Sequence, residues 1–316
     1  MEQFSIVLNQ TGIFFIIILT GFGIIRFKLV PEDSLPVISK LFTRVILPFV
    51  IFINNVNGAS RADVINYSYL LLVSICMYAA LTIIARIMPK ALKLKGNRAS
   101  LFSLSNTFGN VGFIGIPLLL AVYGQRSMIV VAMYSIADQF LLWTYGFSLT
   151  FPEDNKLKFS VKTLKNTLNP ALTAVILSLV IIMLDIDLPK IINQSFITVA
   201  NAGTALPFLY IGGMVATSKV QKLLKFREFY VGIAVKMIIL PICAFCIMSA
   251  AGFEAEIIGT TVILIGLPAV GMMPMLAGAN GSDAEYATAA VIVTTLASLV
   301  TLTLVSYITG TVIQIF

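Results

Sequence analysis

The chain has 316 residues, 59% of them apolar and 11% charged, with a mean hydropathy of +0.99. Soluble domains carry about a quarter charged residues, so this composition excludes a water-soluble enzyme, a disordered tail and a disulfide-stapled secreted module. Histidine is absent, which removes Ser-His-Asp chemistry, imidazole bases and His metal sites. The formal charge of +7 sits in short clusters between long apolar runs, the pattern of membrane orientation rather than nucleic-acid binding.

A membrane-crossing helix needs about 20 apolar residues. Charge-free stretches cover 8–25, 45–60, 64–85, 99–125, 166–184, 191–218, 257–282 and 286–316. Two more, 127–152 and 229–253, each contain one charge, Asp138 and Lys236. The expected architecture is an all-α integral membrane protein with ten transmembrane helices. The start, MEQFSIVLNQ, has no positive residue and does not read as a cleaved signal peptide.

Positive residues alternate between loops. The first, third, fifth and seventh connections hold three, five, four and four of them, sixteen of the 21 in the chain. The intervening connections hold Arg61, Arg126 and Lys190. This asymmetry places the odd loops in the cytoplasm and both termini outside, in a multi-pass protein of the cell (inner) membrane. Arg44, taken as lying in the first turn of its span, is expected to snorkel to the interface. Of the three cysteines, Cys76, Cys243 and Cys246, the last two have redox spacing but lie in an apolar run and are expected to be buried, inert packing.

Five spans per half predict a 5+5 inverted repeat. Leu47-Pro48-Phe49 recurs as Leu206-Pro207-Phe208, and Tyr123-Gly124-Gln125 aligns with Asn280-Gly281-Ser282, at offsets of 159 and 157. Ile114-Gly115-Ile116-Pro117 resembles Ile265-Gly266-Leu267-Pro268 at the discordant offset of 151. The 159 register instead pairs Pro268 with Gly109.

The fourth span carries Gly109, Gly112, Gly115 and Pro117, with Asn106 and Asn110 around the first glycine. The ninth carries Pro268, Gly271 and Pro274. Glycine weakens a helix and proline removes a hydrogen bond, so helices 4 and 9 are expected to be broken near mid-membrane. Such backbone is tolerated only against protein or a polar cavity, and paired breaks in two repeats point to a transport site. Helix ends created there favour an anion. Close packing through small residues is the competing account.

Asp138 lies mid-span beside Gln139, where a charge costs about 2.5–3.5 kcal/mol. It serves a proton or a cation, or is a neutral acid bonded to a neighbouring helix. Thr294, Thr295 and Ser298 in the tenth span are expected to line the same cavity. Lys236 either snorkels or faces the interior as a counter-charge to Asp138 or to an anionic substrate.

The stretches NVGFIGIPLLLAVYG (110–124) and LPAVGMMPMLA (267–277) resemble the fourth- and ninth-helix signatures of the auxin efflux carrier family. That family includes the plant PIN carriers and bacterial malate or malonate permeases. The resemblance covers the whole chain and implies that helices 4 and 9 cross beside the substrate at Gly109-Asn110 and Pro268. Gly109 stands where plant members carry proline. Gln139 matches a Gln four residues before a Trp, here Trp143, and Lys236 matches a basic residue of the eighth helix. The long central cytoplasmic loop of plant members is reduced to 153–165. The resemblance further implies a homodimer and an elevator, with 1–60 plus 166–218 as scaffold and 61–152 plus 226–316 as transport domain.

The expected function is a secondary transporter, not an enzyme, for a small organic anion, a mono- or dicarboxylate. Gly109, Asn110, Pro268 and Lys236 are the candidate substrate residues, and Gly112, Pro117, Gly271 and Pro274 the helix breaks. Asp138, Gln139, Thr294 and Thr295 are candidates for a coupling H+ or Na+. No cofactor, metal or nucleic acid is expected. A sodium-coupled bile-acid-type symporter is the alternative; a membrane-embedded enzyme lacks its motifs, and a sensor lacks an output domain.

Overall fold

The computed structural model describes residues 2–152, 170–218 and 224–313. The short loop expected at 153–165 lies outside them, as do Lys219 and Lys222. All regular structure among the described residues is helical. It runs α1 (Glu2–Arg26), α2 (Glu32–Gly58), α3 (Arg61–Asn66), α4 (Leu70–Ala91), α5 (Gly96–Thr107), α6 (Ile116–Tyr123) and α7 (Ser127–Leu141). After the undescribed stretch come α8 (Pro170–Met183), α9 (Lys190–Asn201), α10 (Leu206–Thr217), α11 (Glu228–Ala250), α12 (Ala255–Gly266), α13 (Met273–Ala279) and α14 (Ala284–Ile313).

Among the described residues, seven helical runs are long and apolar enough to cross a membrane. Four coincide with expected spans as single helices: α1, α4, α11 and the α14 run. The second expected span is longer than its charge-free stretch, because α2 begins at Glu32 and passes through Lys40 and Arg44. The fourth and ninth stretches are each divided into two pieces too short to cross. Val111–Gly146 is one helical run by length, but Gly124 turns it with a φ of 69°. α8 and α12 are apolar and shorter.

Prolines shape these helices in a consistent way. Pro48 has no N–H for the carbonyl four residues back, that of Arg44, and its ring crowds that turn. The chain responds with a five-residue π turn, Phe42–Ile46, in which the Leu47 N–H reaches back five residues to Phe42. The same device precedes Pro117, with a π turn at Val111–Gly115, and Pro241, with one at Val235–Ile239. One inserted residue rotates the helix segment before the π turn by about 100° relative to the segment after it. Such turns concentrate at functional positions, and two of these carry the charges Arg44 and Lys236.

Glycine sets the closest packing. α1 lies along α10 through Gly21 and Gly212, where any Cβ would strike the Leu209 and Ile18 backbones. Without a hydrophobic drive between helices in lipid, such backbone approach is a principal source of association. At one end of the bundle Arg98 of α5 forms an ion pair with buried Glu228 of α11, which also accepts from the Tyr286 hydroxyl at 3.2 Å. Three helices, α5, α11 and α14, are thereby tied together. Cys76, Cys243 and Cys246 are free thiols on the exposed outer surface, contrary to the expectation of buried packing for the last two. The apolar run around them faces outward, and the same apolar character suits lipid.

Candidate functional site

The site is assembled where the two divided stretches meet. α5 ends at Thr107, and Phe108 adopts extended angles, φ −107° and ψ 128°. α12 ends at Gly266, and Leu267 is likewise extended, φ −62° and ψ 144°. The two extended pieces form an antiparallel bridge between Gly109 and Ala269, and the Asn110 N–H donates to the Pro268 carbonyl at 2.8 Å. Gly109 permits this approach: a Cβ there would lie 2.9 Å from Leu267 Cβ.

Unpaired backbone in an apolar interior costs several kcal/mol per group, so these groups need partners. The Ala269 N–H donates to Thr294 Oγ1 at 3.0 Å. Lys236 Nζ donates to the carbonyls of Ser105, 2.9 Å, and Phe108, 3.1 Å, at the carboxyl end of α5. The Asn110 carbonyl accepts from the Ile114 and Gly115 N–H groups, both at 3.0 Å. Asn110 Oδ1 caps the following turn by accepting from the Phe113 N–H at 3.4 Å.

A cavity of about 430 Å³ opens beside this crossing. Its wall includes Gly109, Asn110, Gly112, Asp138, Gln139 and Gly271. Asn110 is 2% exposed, and its Nδ2 has no hydrogen-bond partner among the described residues. Leaving such a donor unpaired costs about 1–3 kcal/mol. The wall residue Asn110 thus holds an unspent donor, itself buried beside Gly271.

Asp138 is 3% exposed and accepts from the Tyr78 hydroxyl at 2.7 Å and from Gln139 Nε2 at 2.9 Å. Trp143 Nε1 in turn donates to Gln139 Oε1 at 3.2 Å. Tyr78 stacks on Phe108, ring centroids 5.9 Å apart, so the carboxylate is linked to the crossing through one aromatic pair. Tyr78 carries no charge and sits in an apolar helix, so nothing in its sequence neighbourhood distinguishes it.

Not every expected residue reaches the cavity. Lys236 is 3% exposed and committed to carbonyls, so it neither snorkels nor lines the cavity. Thr294 serves the crossing backbone, and Thr295 is buried with its hydroxyl unpartnered; neither Thr294, Thr295 nor Ser298 lines the cavity. Pro268 lies in the crossing, while its neighbours Val270, Gly271 and Met272 form the wall. Pro274 opens the second half of the ninth stretch, where a missing N–H costs little, whereas Pro117 lies within the Val111–Tyr123 stretch behind its π turn. Arg44 is a correction in position: it lies about three turns into α2 rather than in the first turn of its span, and its exposed side chain lines the cavity.

A family model described as membrane transport protein matches residues 7–306. The chain belongs to this family, that of the auxin efflux carriers. It is also 23% identical, over 303 residues, to an uncharacterized transporter of Methanocaldococcus jannaschii, covering 93% of this chain and 96% of that protein. The chain is thus a membrane transporter, consistent with its several apolar helices and with the transport reading of its sequence.

Proposed function

We propose that this transporter is a permease for a small organic anion, a mono- or dicarboxylate, working by alternating access. The observation that carries the reading is the unpartnered Nδ2 of Asn110 on the wall of a 430 Å³ cavity, beside the backbone bridge. One carboxylate oxygen accepts from that amide. The amino end of the Val111–Tyr123 stretch, whose first N–H groups lack intrahelical partners, adds favourable potential. Asp138, held by Tyr78 and Gln139, takes the coupling proton or Na+.

In the same reading the divided stretches count as single interrupted crossings, giving ten spans as two inverted sets of five. The sets place 1–60 with 166–218 as a scaffold and 61–152 with 226–316 as the moving part of an elevator in a homodimer. The loop-charge bias puts both termini outside the cell membrane. With that orientation, Arg44, Trp143 and Pro170 belong to the cytoplasmic side of the cavity.

Replacing Asn110 by Ala in reconstituted protein is expected to abolish carboxylate uptake while leaving the protein folded; unchanged uptake overturns the reading. A thermal-shift screen with malate, malonate, lactate, indole acids and bile acids, with and without Na+, identifies the class. A ligand at 100 times its Kd adds about 2.7 kcal/mol. Stabilisation by bile acids only in Na+ decides for the symporter instead.

A further inference from the structure

Arg44 is the cavity's unassigned charge. It sits in the π turn Phe42–Ile46, which the missing N–H of Pro48 enforces, and Thr43, Arg44 and Leu47 together line the cavity wall from α2. Asn110 and Asp138, from other parts of the chain, line the same cavity. Arg44 forms no ion pair among the described residues. The carboxylate that shares the wall with it, Asp138, already accepts from Tyr78 and Gln139. The other nearby cation, Lys236, is buried and bonded to the Ser105 and Phe108 carbonyls. A guanidinium presents a planar fork of donors suited to a carboxylate and stays charged at any physiological pH.

We propose that Arg44 is the specificity-determining residue of the cavity, supplying its anion-attracting potential and pairing with the anionic group of the bound substrate. The assignment rests on the proposed anion transport, but it adds a different helix, α2, and a residue of different chemistry. Asn110 donates one neutral hydrogen bond and accepts acids and amides alike. Arg44 separates them by charge. Two unit charges about 8 Å apart at an effective dielectric of about 20 interact strongly enough to change a local ion preference by at least tenfold.

The test does not require the substrate to be known. Met272, a cavity-wall residue of intermediate exposure, is replaced by Cys in a chain whose three native cysteines are serine. The rates of modification by anionic sulfonatoethyl and cationic trimethylammonioethyl methanethiosulfonate are then compared. Arg44→Gln is expected to lower the anionic-to-cationic rate ratio about tenfold, while Arg44→Lys keeps it near the parent value. A ratio unchanged in Arg44→Gln overturns the proposal. Protection of the new cysteine by malonate, lactate or indole-3-acetate supplies the second arm. Protection that Asn110→Ala weakens and Arg44→Gln does not overturns the pairing while sparing the anion reading. A ratio that falls in Arg44→Gln, in a protein that no acid protects, upholds the charge assignment and counts against the anion reading.

Discussion

The ammonium of Lys236 lies 2.9 Å from the Ser105 carbonyl oxygen and 3.1 Å from that of Phe108, closing the carboxyl end of α5 where it stops beside the crossing. The last carbonyls of a helix carry the negative end of its dipole and have no intrahelical donors. A buried cation answers both needs at once. Lys236→Met removes the donors and leaves two carbonyls unsatisfied, at about 1–3 kcal/mol each. Thermal unfolding in detergent is expected to shift down by several degrees, with uptake lost. A variant of normal stability but altered KM for anions would instead mark Lys236 as a substrate ligand.

Asp138 and Tyr78 offer a cleaner separation of charge from structure. Asp138→Asn keeps an oxygen to accept from Tyr78 but removes the charge. It is expected to fold normally and to lose the dependence of uptake on the coupling-ion gradient. Tyr78→Phe keeps the stacking on Phe108 and removes the donor, so it is expected to cost about 1–3 kcal/mol of stability. Equal stability of Tyr78→Phe and the parent would show that another donor replaces the hydroxyl.

The positions of the breaks were readable because glycine and proline act locally. Gly109 and Pro268 mark extended backbone by what they lack, a Cβ and an N–H, and the crossing lies there. Asp138 was readable because a mid-span charge needs a reason. Arg44 was not, since counting charge-free residues began its span at 45, and the helix begins at Glu32. The partner choice of Lys236 was equally hidden: which face of α11 meets α5 depends on a π turn and on Gly232, whose missing side chain admits Asn106. Tyr78 and Thr294 acquire their roles only through contacts distant in sequence. Cys243 and Cys246 misled because burial statistics come from soluble proteins, in which the apolar surface points inward.

Asp63 gives a pH dependence outside the membrane-spanning helices. Ser60 caps α3 by accepting from the Asp63 N–H at 3.2 Å, while the Asp63 carboxylate accepts from the Ser60 N–H at 2.8 Å and its hydroxyl at 2.7 Å. The hydroxyl bond first, then the backbone bond, hold the Asp63 carboxyl below the usual carboxylate range. A depressed folded-state value contributes stability above the unfolded value, and that contribution is lost as pH falls through the folded one. Protection of the 60–66 amides from hydrogen exchange, corrected for intrinsic rates, is therefore expected to weaken below about pH 4. Asp63→Asn should abolish that pH dependence, and Ser60→Ala should weaken protection at neutral pH as well.

Gly109 bears the most demanding geometric constraint in the site. A Cβ there would sit 2.9 Å from Leu267 Cβ and 3.3 Å from the Leu264 carbonyl oxygen, both belonging to the opposing stretch. Neither is the free end of a flexible side chain, so the strands must part to admit even alanine. Parting them lengthens the 2.8 Å bond from Asn110 to Pro268 and displaces the Asn110 amide from the cavity wall. Overpacking of this kind costs about 1–3 kcal/mol. Gly109→Ala is therefore expected to unfold several degrees lower and to lose uptake. Because the nearest atom is the Leu267 Cβ, which alanine would keep, Leu267→Gly in the Gly109→Ala background is expected to recover part of the lost uptake. Stability and uptake equal to the parent in Gly109→Ala alone would mean that the two stretches do not hold this separation in the membrane.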